Sequence, residues 1–179
     1  MKAFVAGVIL GWIAVFLLVY MYFATGTAPV ATSAKPMPFE KKFANLALHA
    51  RVEKEMPKAA PIAADDAAYT AGAQIYKDHC AVCHGLPGQA QTAIARGMFP
   101  KPPKLMEGTG VTDDPAGETY WKVAGGIRMT GMPGFSNSLS TTEMWQVSLL
   151  LANADKLPQA VKDSLAVSSP TKVSADVKK

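Results

Sequence analysis

The residues with the clearest chemical potential lie at positions 80–84, where the sequence reads Cys-Ala-Val-Cys-His. Cys80 and Cys83 are the two cysteines of the chain, and His84 follows the second one directly. On a helical turn, residues three and four positions apart lie on one face, so both thiols and the imidazole share a side. Two thiols placed in this way can add to the two vinyl groups of a porphyrin while the imidazole reaches its iron. The spacing is typical of covalent attachment of a c-type haem.

Two other uses of a Cys-x-x-Cys pair have less support in the sequence. A thioredoxin-like dithiol is expected inside a βαβ unit, and half a zinc site requires two further ligands at paired spacing. The sequence predicts neither context. We therefore expect one covalent haem c, with the sulfurs of Cys80 and Cys83 used as thioethers and His84 as an iron ligand.

The second axial ligand of the iron is predicted to be Met132. It lies between Gly131 and Pro133, with Gly134 next; proline prevents a helix from continuing, and the two glycines let the loop approach a flat cofactor closely. Met129 is the alternative ligand. A His/Met pair fills both axial positions, which favours electron transfer over catalysis and predicts no small-molecule substrate.

A backbone carbonyl in residues 99–103 is expected to accept a hydrogen bond from the imidazole Nδ1 of His84.

The apolar residues of the chain are concentrated at its N-terminus. Residues 3–24 carry no charge, and only Gly7 and Gly11 fall outside the hydrophobic set. A helix of this length is about 33 Å long, enough to span the hydrocarbon core of a bilayer. A signal peptide cleaved after Ala34 is the alternative, although its apolar region is expected to be shorter. We predict a transmembrane anchor over residues 1–24.

Residues 25–64 are predicted to contain a linker and an amphipathic helix. The segment 25–38 is rich in Thr, Ala, Ser and Pro and reads as extended linker. Over residues 39–56, apolar side chains recur every three or four positions and charged ones occupy much of the remainder, which indicates a helix. Such a helix can lie on the membrane, pack on the downstream domain or contact a partner subunit, and the sequence leaves all three open.

The haem domain is predicted to occupy residues 65–157. Asp65 suits the N-cap of a helix that leads into the haem motif, and residues 140–143, Ser-Thr-Thr-Glu, form a capping box that opens a final apolar helix. Residues 158–179 lack clear periodicity and are predicted to be a mobile tail.

Four side chains of this domain have two interpretations each. Tyr120 and Trp121 can line a haem pocket or belong to an ordinary core. Arg96 and Arg128 can pair with haem propionates, because a guanidinium matches carboxylate geometry, or they can be plain surface residues. The sequence does not choose between these interpretations.

Residues 67–155 resemble a class I c-type cytochrome, an all-helical monohaem fold. The resemblance rests on Gly72 and Tyr76 before the haem motif, and on residues 131–133, Gly-Met-Pro, before a helix that contains Trp145. In that family the first and last helices cross closely at small and aromatic residues, which implies a contact between these helices here. The chain as a whole is similar to bacterial membrane-anchored monohaem cytochromes.

The resemblance implies an all-α protein: a cytochrome c-like haem domain with an N-terminal transmembrane helix and a juxtamembrane amphipathic helix. It implies an electron carrier, not an enzyme, whose haem is held by Cys80, Cys83, His84 and Met132 and whose partners are redox proteins or a membrane respiratory complex. Haem attachment takes place outside the cytoplasm in bacteria, so the domain is expected in the periplasm, anchored to the inner membrane. A fixed subunit of a respiratory or dehydrogenase complex, and a haem enzyme or gas sensor with a labile methionine ligand, remain alternatives.

The distribution of charge argues against nucleic acid as a partner. The chain carries a net charge of +4 and has a pI near 9.0. Residues 65–157, however, contain seven basic and nine acidic residues, so the basic excess belongs to the rest of the chain. The basic residues thus lack the folded reading surface that nucleic-acid recognition requires.

Overall fold

The computed structural model describes residues 1–166, which are helical with no strand in that range. The helices are α1 Lys2–Ala24, α2 Glu40–Glu55, α3 Asp66–Ile75, α4 Ala81–His84, α5 Ala93–Gly97, α6 Ala116–Gly125, α7 Thr141–Ala152 and α8 Gln159–Ala166. A π-helical turn, Tyr76–Cys80, joins α3 to α4. The predicted all-α class is confirmed.

The chain divides into two compact units, Met1–Asn45 and Leu46–Lys179. The first unit contains α1, whose 23 residues have a mean hydropathy of 2.5 in their most apolar window and no buried side chain. A helix so long and so apolar is sufficient to cross a membrane, which supports the predicted N-terminal anchor.

The core of the second unit is formed by four helices. Helix α7 packs against both α3 and α6, and α8 packs against α3. The predicted helix starts are present: the Asp65 carboxylate accepts a hydrogen bond from Ala68 N at 2.9 Å, and Ser140 with Glu143 forms the capping box of α7. These caps satisfy backbone N–H groups that a helix N-terminus otherwise leaves without a partner. The largest fully buried side chains of the core are Tyr76, Val147, Leu150, Leu151 and Leu165.

Gly72 marks the closest approach of α3 and α7. A Cβ at this position would collide with the backbone carbonyl oxygen of Gln146 and would lie 3.1 Å from the Cβ of Leu150. The close crossing expected from the family resemblance is therefore present. Trp145, which precedes Gln146 in α7, is buried, and its ring stacks on Tyr120 of α6 with ring centroids 4.3 Å apart.

Helix α8 differs from the predicted mobile tail of residues 158–179. Val161 and Leu165 are only 3% and 2% exposed and belong to the core. Burial of each aliphatic side chain contributes about 1.5–3 kcal/mol, which offsets the entropy of ordering a short polar helix. The prediction is corrected for residues 159–166, and residues 167–179 lie outside the described part of the chain.

Candidate haem site

The Cys-x-x-Cys-His motif lies where the π-helical turn meets α4. Tyr76, at the start of that turn, is fully buried, and its hydroxyl donates a hydrogen bond of 2.8 Å to the carbonyl of Gly85. Gly85 directly follows His84 and ends α4 with a φ of +79°, a conformation that glycine adopts without strain. Burial raises the pKa of the Tyr76 phenol, so this group stays a hydrogen-bond donor. The hydrogen bond from Tyr76 to Gly85 thus connects the start of the π-helical turn to the residue that follows the motif.

The two cysteines are free thiols, both partly buried. Burial is the main cause that raises the pKa of Cys80 to about 12, and the neighbouring Cys83 adds to it. Reactive dithiols of redox proteins have lowered pKa values, because the thiolate is their nucleophile. The environment of Cys80 has the opposite effect, which argues against a disulfide-exchange function for this pair.

His84 is held by a backbone carbonyl. Its Nδ1 lies 2.8 Å from the carbonyl oxygen of Pro103, within the segment where the sequence predicted such an acceptor. Burial lowers the pKa of His84, and the bond to Pro103 opposes this shift. In a neutral imidazole, Nδ1–H donates to the carbonyl and Nε2 keeps its lone pair. This is the arrangement of a metal-ligating histidine.

Met132 is carried by a strap, residues 126–135, that follows α6. The N–H of Ile127 donates to the carbonyl of Met132 at 3.2 Å and closes the strap on itself. Met132 is half-buried and packs against the core cluster, whereas Met129 is 92% exposed. Of the two methionines that the sequence offered as ligands, only Met132 packs inward.

Glycines let the strap lie close to α6. Gly126 has a φ of +68°, and a Cβ there would lie 2.5 Å from Gly134 N and 2.8 Å from Met132 O. A Cβ at Gly134 would lie within 2.9 Å of backbone atoms at the end of α6. At Gly131 a Cβ would meet only the flexible end of the Met98 side chain. The sequence singled out Gly131 and Gly134, but it did not point to Gly126, whose positive φ only the backbone reveals.

The donor set of this site fits a c-type haem. Two free thiols and a neutral imidazole lie on one turn, and a thioether packs against the same core. The surroundings of the core cluster are apolar, as expected for a site that shields a flat macrocycle from water: the partly buried residues include Leu86, Leu105, Met106, Val111 and Phe135. Within residues 1–166, no group of three or more His, Cys, Asp or Glu is placed to hold a separate metal ion.

The two candidate pocket aromatics have other contacts. Tyr120 stacks on the buried Trp145 with an interplanar angle of 16°, so it belongs to the contact between α6 and α7. Trp121 donates a hydrogen bond of 3.2 Å from Nε1 to the carboxylate of Glu55 in α2. The core interpretation therefore suits Tyr120, and Trp121 connects α6 to the end of α2.

The two arginines of the haem domain lie on its surface. Arg96 donates to the backbone carbonyl of Gln91 at 2.5 Å, and Arg128 is exposed. Neither guanidinium takes part in an ion pair with the residues that the structure describes. Pairing of either side chain with a haem propionate stays a prediction.

Comparison with known proteins identifies the haem domain. A family model described as "Cytochrome C oxidase, cbb3-type, subunit III" matches residues 67–149. No curated protein sequence matches the chain. Among solved structures, a chain from a reducing HAO-like protein complex of Kuenenia stuttgartiensis is similar at 21% identity with a TM-score of 0.47. That comparison covers 68% of this chain and 52% of the other, so this chain spans about half its length. The family match indicates a c-type cytochrome domain over residues 67–149, and domains of this kind use haem in electron transfer.

Proposed function

We propose that the protein is a membrane-tethered electron carrier with one haem c, bound through Cys80 and Cys83 and ligated by His84 and Met132. When bound, haem supplies one-electron chemistry between ferric and ferrous iron. The observation that carries the proposal is the state of His84. Its Nδ1 donates to the carbonyl of Pro103 at 2.8 Å, and burial lowers the pKa of the imidazole, which favours the neutral form whose Nε2 lone pair can bind iron.

The other residues of the site have complementary roles in this proposal. Thioether bonds to Cys80 and Cys83 keep the cofactor attached even when the domain opens. The carbonyl of Pro103 fixes the tautomer and ring orientation of His84. Met132 would be the second ligand of the iron beside His84, which would leave no open site for oxygen or peroxide and would favour electron exchange.

Absorption spectroscopy of the full chain, purified in detergent, tests this assignment. We expect Met132→Ala to lose the sulfur-to-iron charge-transfer band and to lower the reduction potential, because a thioether ligand raises the potential. The matched control, Met129→Ala, removes an exposed methionine of the same strap and is expected to keep both properties. An unchanged band and potential in Met132→Ala contradict the assignment, and a haem-to-protein ratio other than one contradicts the single haem.

The proposed location is the periplasmic face of a bacterial inner membrane, with α1 as an uncleaved anchor and a haem domain over residues 65–166. In its support, α1 ends with Tyr20, Tyr22 and Phe23, and such aromatic residues favour the membrane–water interface. The intact mass of the purified protein tests the anchor: a mass that includes residues 1–24 supports it, and a chain that starts after Ala34 contradicts it. Protease protection in spheroplasts tests the side of the membrane.

A second candidate function is that of a fixed subunit in a respiratory or dehydrogenase complex. The family description names an oxidase subunit, which favours this alternative. Extraction in mild detergent followed by size-exclusion chromatography separates the two functions. A chain that elutes alone supports the carrier, whereas stoichiometric co-elution with other polypeptides supports the subunit.

A further inference from the structure

Helix α2 has two apolar faces, and only one of them is buried. Near the end of the helix, Val52 is 2% exposed, and Glu55 accepts the hydrogen bond from Trp121 of α6. Phe43 and Leu46 are each 64% exposed. At about 100° per residue, Phe43 and Val52 lie on opposite sides of the helix. The hydrogen bond between Glu55 and Trp121 joins the end of α2 to α6, and the aromatic side of α2 is left uncovered.

This uncovered surface, called the aromatic face below, consists of Phe39, Phe43, Leu46 and Ala50. The rings of Phe39 and Phe43 contact each other edge to face, with centroids 6.3 Å apart. Single exposed apolar side chains are ordinary on protein surfaces. Two phenyl rings and a leucine on one side of a helix form a contiguous apolar patch, which indicates an interaction surface.

We propose that the aromatic face lies in the lipid–water interface of the membrane that holds α1. Only 15 residues separate Ala24, the end of α1, from Glu40, the start of α2. A chain of that length extends at most about 50 Å, so α2 begins within reach of the bilayer surface at which the anchor emerges. This inference depends on insertion of α1 in the membrane and not on the identity of the iron ligands.

The charges around the start of α2 match a lipid surface. Lys35, Lys41 and Lys42 are exposed, and none of them forms an ion pair with any residue in the range 1–166. Exposed lysines beside a membrane are attracted to the phosphate groups of anionic lipids. A helix that combines aromatic residues on one side with lysines at its flanks is typical of helices that lie in the plane of the interface.

The two faces of α2 then have different partners. The aromatic face contacts lipid, while Val52 on the other side is buried and Glu55 accepts the hydrogen bond from Trp121 of the haem domain. The haem domain is held beside the membrane surface instead of moving over the full length of a flexible tether. Such confinement raises the effective concentration of the haem domain for redox partners that are themselves in the membrane.

Site-directed spin labelling of the full chain tests this placement. With haem attached, both native cysteines are thioethers, so an introduced cysteine is the one thiol that takes up a nitroxide. Labels are placed by Phe43→Cys and Leu46→Cys on the aromatic face, and by the control Ala44→Cys, which is exposed and about 100° round the helix. The chains are incorporated singly into nanodiscs that contain phosphatidylglycerol. Power-saturation EPR then compares the accessibility of each label to oxygen, which partitions into lipid, and to a water-soluble nickel chelate.

We expect the labels at positions 43 and 46 to be several-fold more accessible to oxygen than to the nickel chelate, and the label at 44 to show the reverse. The proposal is overturned if all three labels are accessible to the chelate. It is also overturned if the labels at 43 and 46 are shielded from both reagents, because a second copy or a partner subunit then covers the face. The parent chain, labelled in parallel, tests haem attachment separately: uptake of nitroxide there contradicts the thioethers, and the parent signal is then subtracted from that of each variant before the accessibilities are compared.

Discussion

The two sides of the candidate haem site are built in different ways. On the His84 side, the proposed ligand and both cysteines lie within residues 80–84, and the hydroxyl of Tyr76 and the carbonyl of Pro103 hold the turn. On the Met132 side, the sulfur is carried by a strap without helix or strand. The position of that strap depends on close backbone contact with the end of α6.

This difference predicts that the two sides of the site are lost separately, the Met132 side before the His84 side. A ligand inside a short closed turn keeps its geometry when distant packing loosens, because its position is set by neighbouring residues. A ligand on a strap moves whenever the strap moves, and an iron–sulfur bond does not tolerate a shift of about an ångström. Damage to the strap is therefore expected to break the bond to Met132 while haem stays attached, and damage to the turn to remove haem binding itself.

The largest effect is expected from His84→Ala. It removes the imidazole that is proposed to bind the iron. Little holoprotein should therefore accumulate, and any that forms should lack a low-spin spectrum. Haem content and absorption spectra of the purified chain measure this effect. The matched control is His79→Ala, which removes an exposed imidazole whose ring contacts the edge of Phe135 at a centroid distance of 6.0 Å. Full haem content with an unchanged spectrum in His84→Ala would exclude His84 as the ligand.

The next largest effect is expected where α3 supports the attachment motif. In Gly72→Ala the new methyl group collides with the backbone carbonyl of Gln146, which cannot move aside as a side chain can. Overpacking of this kind lowers the free energy of unfolding by about 3 kcal/mol. Denaturant titration followed by Soret absorption gives the value. At Gly97, in α5, a Cβ meets no heavy atom within 4 Å, so Gly97→Ala should show no loss. Equal stability of the two variants would argue against the close crossing of α3 and α7.

The attachment side could be predicted from the sequence because its signals are local. The spacing of Cys80, Cys83 and His84 defines the turn, and the acceptor for the imidazole lies at Pro103, inside the predicted segment. The start of α3 could also be predicted: Asp65 was expected at the N-cap, and its carboxylate accepts the hydrogen bond from Ala68 N. The motif and the cap depend on residues that are close in sequence, whereas the acceptor for His84, 19 residues away, could be predicted only as a segment.

The features that the sequence did not reveal depend on contacts between distant segments. Val161 and Leu165 are isolated aliphatic residues in a polar stretch, and their burial depends on the surface of α3 against which α8 packs. The burial of Val52 in α2 was not predicted for a related reason. The apolar periodicity of this helix follows Phe39 and Phe43, which are exposed, whereas Val52 on the opposite side is buried and the nearby Glu55 accepts a hydrogen bond from the distant Trp121.

A smaller effect, confined to the strap, is expected from Gly126→Ala. Alanine is strained at a φ of +68°, and its Cβ would lie 2.6 Å from the carbonyl carbon of Pro133. We expect a cost of about 2 kcal/mol and early loss of the sulfur-to-iron band in denaturant, with haem content unchanged. The neighbouring Gly125→Ala, whose Cβ meets nothing within 4 Å, is the control. Parallel loss of haem and band in Gly126→Ala would contradict the independence of the two sides.

The smallest effect is expected from Ser140→Ala at the N-terminus of α7, a helix that packs against both α3 and α6. Loss of the capping hydroxyl costs about 1 kcal/mol of unfolding free energy. Because α7 supports both sides of the site, the stability should fall without any change in the spectrum of the folded protein. The exposed Ser136→Ala serves as the control. A spectral change in Ser140→Ala would mean that loss of the cap disturbs either the His84 side or the Met132 side of the site, and not the stability of both together.

The pH dependence of the same variant sharpens this test. Hydrogen bonds from the backbone N–H and the hydroxyl of Ser140, both 2.7 Å from Oε2, lower the pKa of Glu143 below its ordinary value of 4.5. A carboxylate with a lowered folded-state pKa stabilises the protein above its ordinary pKa, and this contribution is lost as the pH falls through the lowered value. The difference in stability between the parent chain and Ser140→Ala should therefore be constant near neutral pH and shrink on acidification below about 4.5. Denaturant titrations at neutral and acidic pH measure this difference in stability. A difference that grows in acid would mean that the pH dependence arises from a group other than Glu143.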